Sequence, residues 1–280
     1  MRFSGLILLL LFVSGRVAVA QAAAKVSLGD VLQKNGIPVE RMSSAEQGRE
    51  VTQWMAGRDG AKVLVAYSLP EDDGAETAFF HLLRYDPAKA GLEQVKVEPD
   101  GECGDRFWGM KPVAGMIALE MSMNPSAGCE ILIDEKLRVV DQLDGMIAGA
   151  ARGQVIVYGN TIHFAPTHPQ ELVVYDPVTR KQVTVYPQAG DARRKAFTEK
   201  LRRVMPPEAW CMENNKGCDP KEFTTELSDV KVNASGASFR FQATMTASEG
   251  FGEKAEQDVK DETVAYVCSW KQGKWVCSEQ

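Results

Sequence analysis

A hairpin pattern that returns three times, bending each time at an aspartate, restricts the fold of this chain more than any other feature. It reads His81-Leu82-Leu83-Arg84-Tyr85-Asp86-Pro87, then Leu92 to Val97. It returns as Glu130-Ile131-Leu132-Ile133-Asp134, then Leu137 to Leu143, and as Glu171-Leu172-Val173-Val174-Tyr175-Asp176-Pro177, then Lys181 to Tyr186. The aspartates lie 48 and 42 residues apart. Asp accepts hydrogen bonds from the backbone ahead of it and Pro presets φ, so both suit the opening positions of a type I turn. An apolar strand precedes each hairpin, at 61–69, 115–123 and 154–158, and each has a partner upstream, at 50–56, 106–110 and 145–151. A fourth unit assembles from 226–232, 237–247, 262–270 and 274–278.

Four strands repeating every forty-odd residues resemble the blades of β-propeller proteins. The resemblance spans residues 45–188 and 224–280, and the Tyr-Asp-Pro turn is similar to that of many blades. The Trp-Asp and Gly-His signatures of WD40 blades and the glycine pairs of kelch blades are absent. The implied fold is mainly β: four four-stranded antiparallel units, propeller-like, with a short helical insert. A meander closing into a barrel or sandwich is the alternative.

The chain outside the repeat divides simply. Residues 1–20 read as a signal peptide: Arg2, an apolar run from Gly5 to Val13, and Ala18-Val19-Ala20 before a cut at Gln21. That run is far shorter than the ~20 residues a spanning helix needs, so no membrane span is expected. Residues 21–48 form an N-terminal helix and lead-in, with Ser27 as cap, Leu28, Val31 and Leu32 on one face and Asn35-Gly36 as the stop. Residues 49–188 hold three β units, 189–223 a helical insert pinned by a disulfide, and 224–280 the fourth unit. In the insert, Asp191 caps a helix to about Met205, with Phe197, Leu201, Val204 and Met205 as its apolar stripe and Pro206-Pro207 as its stop. Its other faces carry Arg193, Arg194, Lys195, Lys200, Arg202 and Arg203, which suits a docking face for an anionic polymer, a membrane surface or an acidic partner, against the ordinary reading of a solvated surface.

Export makes the six cysteines disulfide candidates, with neighbours paired as Cys103–Cys129, Cys211–Cys218 and Cys268–Cys277. The last pair tests the register. A two-residue turn at Gln272-Gly273 sets Lys271 opposite Lys274, Trp270 opposite Trp275 and Cys268 opposite Cys277. A three-residue loop slips the register by one and sends the cysteines to opposite faces.

Composition narrows the function. The chain carries net charge −6, and −8 once Arg2 and Arg16 leave with the leader, which argues against nucleic acid as a partner. Phosphate-binding glycine loops, His-Glu-x-x-His helices and Gly-x-Ser-x-Gly elbows are absent from the sequence. The unusual strings are Thr161-Ile162-His163-Phe164-Ala165-Pro166-Thr167-His168-Pro169 and Asn124-Pro125-Ser126-Ala127-Gly128-Cys129. Both are similar to strings in uncharacterised secreted bacterial proteins, which implies export and a β-rich body and transfers no activity. The prolines stiffen the first loop and could preorganise His163 and His168, with Asp176 or another carboxylate, for acid–base or metal chemistry. The second string offers Asn124 and Ser126 as binding candidates, with Ser126 a nucleophile only if it meets His163. The expectation is an exported β-repeat binding or scaffold protein, periplasmic or secreted, without a cofactor, whose ligand is an unknown protein or small molecule. An extracytoplasmic hydrolase at the His163/His168 loop, metal-assisted or not, is the alternative.

Overall fold

The computed structural model describes residues 25–70, 79–99, 103–104, 106–124, 127–159, 171–188, 190–204, 224–248 and 258–280. The lead-in pairs strand β1 (Val26–Ser27) with β2 (Glu50–Val51) around helix α1 (Leu28–Lys34), a 3-10 turn at Val39–Arg41 and the short helix α2 (Ser44–Gln47). Ser27 caps α1 reciprocally. Its Oγ accepts the Asp30 N–H at 3.1 Å while Asp30 accepts the Ser27 N–H at 3.2 Å. Ser43 and Glu46 do the same for α2, which the hydrophobic pattern gave no reason to expect because α2 buries nothing.

Four antiparallel sheets, each a path of four strands and the last with a short fifth strand beside it, make up most of the body. The first runs β3 (Gln53–Asp59), β4 (Lys62–Ser68), β5 (Phe80–Asp86), β6 (Gly91–Val97). The second runs β7 (Arg106–Val113), β8 (Met116–Asn124), β9 (Ala127–Ile133), β10 (Val139–Asp144), and the third β11 (Met146–Ala151), β12 (Gln154–Gly159), β13 (Glu171–Asp176), β14 (Lys181–Tyr186). Helix α3 (Ala192–Val204) intervenes. The fourth sheet then runs β15 (Thr224–Val232), β16 (Ser238–Ser248), β18 (Val264–Lys271), β19 (Lys274–Glu279), with the short β17 (Asp258–Lys260), which the sequence pattern does not announce, paired to β16. The expected mainly β fold of four four-stranded units is therefore present.

The aspartate bends work as their chemistry requires. Asp86, Asp134 and Asp176 each accept, through Oδ1, the N–H two residues ahead, at 3.0, 2.8 and 2.9 Å. In the first three units the strand after the first is apolar on both sides because both of its faces are covered, whereas β16 of the fourth alternates buried Phe239, Phe241 and Ala243 with polar Arg240, Gln242 and Thr244. In β4, Val63, Val65 and Tyr67 pack with Leu28, Val31 and Leu32 of α1, while Leu64 and Ala66 pack with Leu119 and Ile131 of the second sheet. Leu132 and Val155 join the second sheet to the third, and Ile156 and Phe239 the third to the fourth. Consecutive sheets thus pack face to face in chain order. Among the described residues no apolar cluster joins the fourth sheet to the first.

First strands also approach one another. Gln53 of β3 accepts the Phe107 N–H of β7 at 3.2 Å, and a Cβ at Gly149 of β11 would lie 3.1 Å from Val232 of β15. The insert helix corrects one expectation. Arg193 belongs to no solvated basic face. It pairs with Asp261 at 3.0 Å, donates to the carbonyls of Ala243 and Glu262, and so fastens α3 to the fourth sheet. Phe197 is buried beneath the helix, as its place in the apolar stripe predicts.

Candidate functional site

Of the residues singled out from the sequence, His163, His168, Ser126, Cys211 and Cys218 lie outside the described residues. Asn124 ends β8, opposite Ala127 of β9. The Cys103–Cys129 and Cys268–Cys277 disulfides are formed, with Cα atoms 5.1 and 3.9 Å apart. Asp176 is committed to its turn. The N–H groups of Val178 and Thr179, at 2.9 and 3.3 Å, hold its carboxyl below the usual range. The remaining histidine, His81, stacks on Tyr67 with ring centroids 5.1 Å apart.

Two features without a motif in the sequence carry more chemistry. The first is a cleft of about 330 Å³ where the third sheet, α3 and the fourth sheet meet. Tyr186, Asp191, Arg193, Tyr266 and Glu279 supply its side-chain chemistry. Tyr186 ends β14 and is 2% exposed, packed edge-on against Phe241 at 5.1 Å. Tyr266 of β18 stacks flat on Phe241 at 5.0 Å and stands 5.2 Å from Tyr186, so the three rings form a triangle. The Tyr266 hydroxyl donates to Glu279 at 3.2 Å. The Tyr186 Oη is buried and has no hydrogen-bond partner among the described residues. Burial, then the Tyr266 phenol and Asp191, push the Tyr186 hydroxyl well above the usual phenol range, so it keeps its proton. Tyr266 moves the same way, chiefly through burial. Asp191 caps α3 by accepting the Arg193 and Arg194 N–H groups on Oδ1, at 2.9 and 3.4 Å.

The second feature is a carboxylate set inside the sheets. Gly109, Glu120 and Glu130 stand opposite one another across β7, β8 and β9. A Cβ at Gly109 would lie 2.7 Å from Glu120 Oε2, so the glycine makes room for that carboxylate. Glu130 is fully buried. Its Oε1 accepts the Ile147 N–H of β11 at 2.9 Å and the Lys111 ammonium at 3.0 Å, while its Oε2 has no partner among the described residues. Burial raises the Glu130 pKa, Lys111 and the Ile147 amide oppose that, and Glu120 adds to it. The sequence did hold a signal for both acids, since each interrupts an otherwise apolar strand. The signal for Tyr186 was nil, because an unpartnered hydroxyl is a property of its surroundings.

Chemically, the cleft can bind and orient a small polar group, whereas Glu130 is too deep to reach one. Among the described residues no group of three or more His, Cys, Asp or Glu side chains is placed to hold a metal. None of their helices is long and apolar enough to cross a membrane. No family model matches the chain, and no curated protein matches it.

Proposed function

We propose that the protein is exported, to the periplasm or beyond the cell, and serves there as a β-repeat binding protein whose ligand, a small molecule or a partner's side chain, enters the cleft at Tyr186. Support for export comes from the leader-like first twenty residues and from two disulfides, which persist in oxidising compartments. The face-to-face succession of four sheets accords with binding at positions where consecutive sheets meet. The acidic net charge of −6 points away from nucleic acid.

The observation that carries the reading is the Tyr186 hydroxyl. A buried polar group without a partner costs roughly 1–3 kcal/mol, and the tyrosine that carries it lines the cleft. The test is a panel of small polar compounds screened by NMR on protein with labelled tyrosine rings. Saturable shifts at Tyr186 and Tyr266, abolished in Tyr186→Phe, are expected. A panel of cationic, anionic and neutral members that leaves both rings unmoved would remove the cleft as the ligand seat.

A further inference from the structure

We propose a second ligand site, independent of the Tyr186 cleft, in which Trp108 and the polar side chains around it on β7 and β8 bind an uncharged oligosaccharide. Trp108 is 58% exposed, the one aromatic side chain among the described residues left more than half in water. Its position is built into the sheet. A β-bulge falls between Phe107 and Gly109, so β7 carries one residue more than β8 here, and Trp108 has no partner across the ladder. Bulges of this kind re-aim a side chain and gather beside functional sites. The residues around it are anchored. Phe107 and Met110 pack on the core between the first two sheets, and Gln53 of β3 accepts the Phe107 N–H at 3.2 Å. The indole is therefore carried by a rigid strand and lies outside the core that holds its neighbours.

The surroundings decide what the indole takes. Glu120 of β8 stands opposite Gly109, and its Oε2 lies 2.7 Å from where a Cβ there would be, so a half-buried carboxylate sits beside the residue that follows Trp108. On the same strand Arg106 is exposed, and the Lys111 side chain is 40% exposed with its ammonium held by Glu130 at 3.0 Å. Arg106 and Lys111 cancel the charges of Glu120 and Glu130, so neither a cation nor an anion is favoured. An apolar partner is disfavoured as well, because no other large apolar side chain described on β7 or β8 is exposed. A pyranose ring fits this mixture. Its C–H face lies on an aromatic face, and its hydroxyls both donate and accept at the rim. From Arg106 to Lys111 the strand runs about 17 Å, which suits several sugar rings in a row.

The test is NMR titration of the full-length protein, isotope-labelled at its tryptophan indoles, with maltotetraose, cellotetraose and chitotetraose. Tetramethylammonium and tetragalacturonate serve as the charged comparisons. The expected result is a saturable shift of the Trp108 indole N–H with at least one neutral tetramer. Affinity should fall about tenfold or more in Trp108→Ala, whose exposed site leaves the other indole signals in place, and by less in Arg106→Ala. Tyr186→Phe should bind the tetramer as the wild type does, which separates this site from the cleft. A Trp108 signal unmoved by all three neutral tetramers overturns the proposal, as does an unchanged affinity in Trp108→Ala. A larger Trp108 shift with tetramethylammonium or tetragalacturonate overturns the uncharged assignment. Loss of tetramer binding in Tyr186→Phe but not in Trp108→Ala assigns the sugar to the cleft and overturns the second site.

Discussion

Glu130 and Tyr186 are two side chains whose burial leaves a polar atom without a partner among the described residues, and each gives a measurable consequence. An unfolded glutamate titrates near ~4.3. In the fold, burial raises the Glu130 pKa above that value, so between the two pKa values the native state binds more protons than the unfolded one. Stability from this group is full below the unfolded value and is lost as pH rises through the folded one. Asp30, Glu46 and Asp176, held below their usual range by hydrogen bonds to Ser27, Ser43 and Val178, slope the other way at lower pH. The informative quantity is therefore a difference. Denaturant unfolding of wild type and Glu130→Gln between pH 4 and 8 should show the wild type losing stability relative to the variant as pH rises, and parallel curves would refute it. Tyr186→Phe should raise stability by about 1 kcal/mol, since it deletes an unsatisfied buried hydroxyl and keeps the ring packed against Phe241 and Tyr266. A lower thermal midpoint in the variant would show that the hydroxyl has a partner. At this scale the turn aspartates were legible because their bonds are local, two residues along the chain. The bond that Glu130 accepts was not, because its amide partner, Ile147, lies on another sheet.

At the scale of single elements, the C-terminal hairpin was the most legible part. Cys268 faces Cys277, Trp270 faces Trp275 and Lys271 faces Lys274, the register of the two-residue turn. The tryptophan rings meet edge to face at 5.5 Å, and Trp275 also donates to Gln154 of β12 at 2.8 Å, tying the hairpin to the third sheet. Gln272 and Gly273 both take positive φ, 49° and 80°, as a turn matched to the strand twist demands. Glycine meets that demand without strain, and glutamine does not. Gln272→Asn should therefore stabilise the protein, by about 0.5 kcal/mol, because asparagine tolerates the left-handed region better. Replacing both cysteines by serine should cost about 2–3 kcal/mol on loop-entropy grounds, read from the denaturation midpoint under oxidising conditions. An unchanged midpoint would mean that the turn and the tryptophan pair fix the register alone. Helix α3 was legible in its bounds and its buried Phe197. Its Arg193 was not, because a charge run in the sequence does not reveal which cation turns toward Asp261.

Over the whole molecule, the repeat told how many sheets there are and in what order, and the apolar runs told that the second strands of the first three are covered twice. How closely one sheet must succeed the next was hidden, because it is decided at a single residue. Gly145 alone separates β10 from β11 and so links the second sheet to the third. Its φ is +107°, and a Cβ there would lie 2.7 Å from the Tyr158 carbonyl oxygen and 3.3 Å from that of Gly159. Both obstacles are backbone, so neither can rotate aside. Relief would have to come from moving β12 away from the linker, across the contact where Glu130 receives the Ile147 N–H and where Ile147, Val155 and Leu132 pack. Gly145→Ala combines backbone strain of order 1–3 kcal/mol with that loss of packing. It should lower the unfolding free energy by more than about 2 kcal/mol. The damage should concentrate at the junction of the second and third sheets, so hydrogen exchange should accelerate in β11 and β12 more than in the C-terminal hairpin. Gly153 makes the control. It too has positive φ, +76°, but nothing stands within 4 Å of its missing Cβ, so Gly153→Ala should cost only the backbone term. Equal losses in the two variants would show that the link between sheets does not constrain their approach.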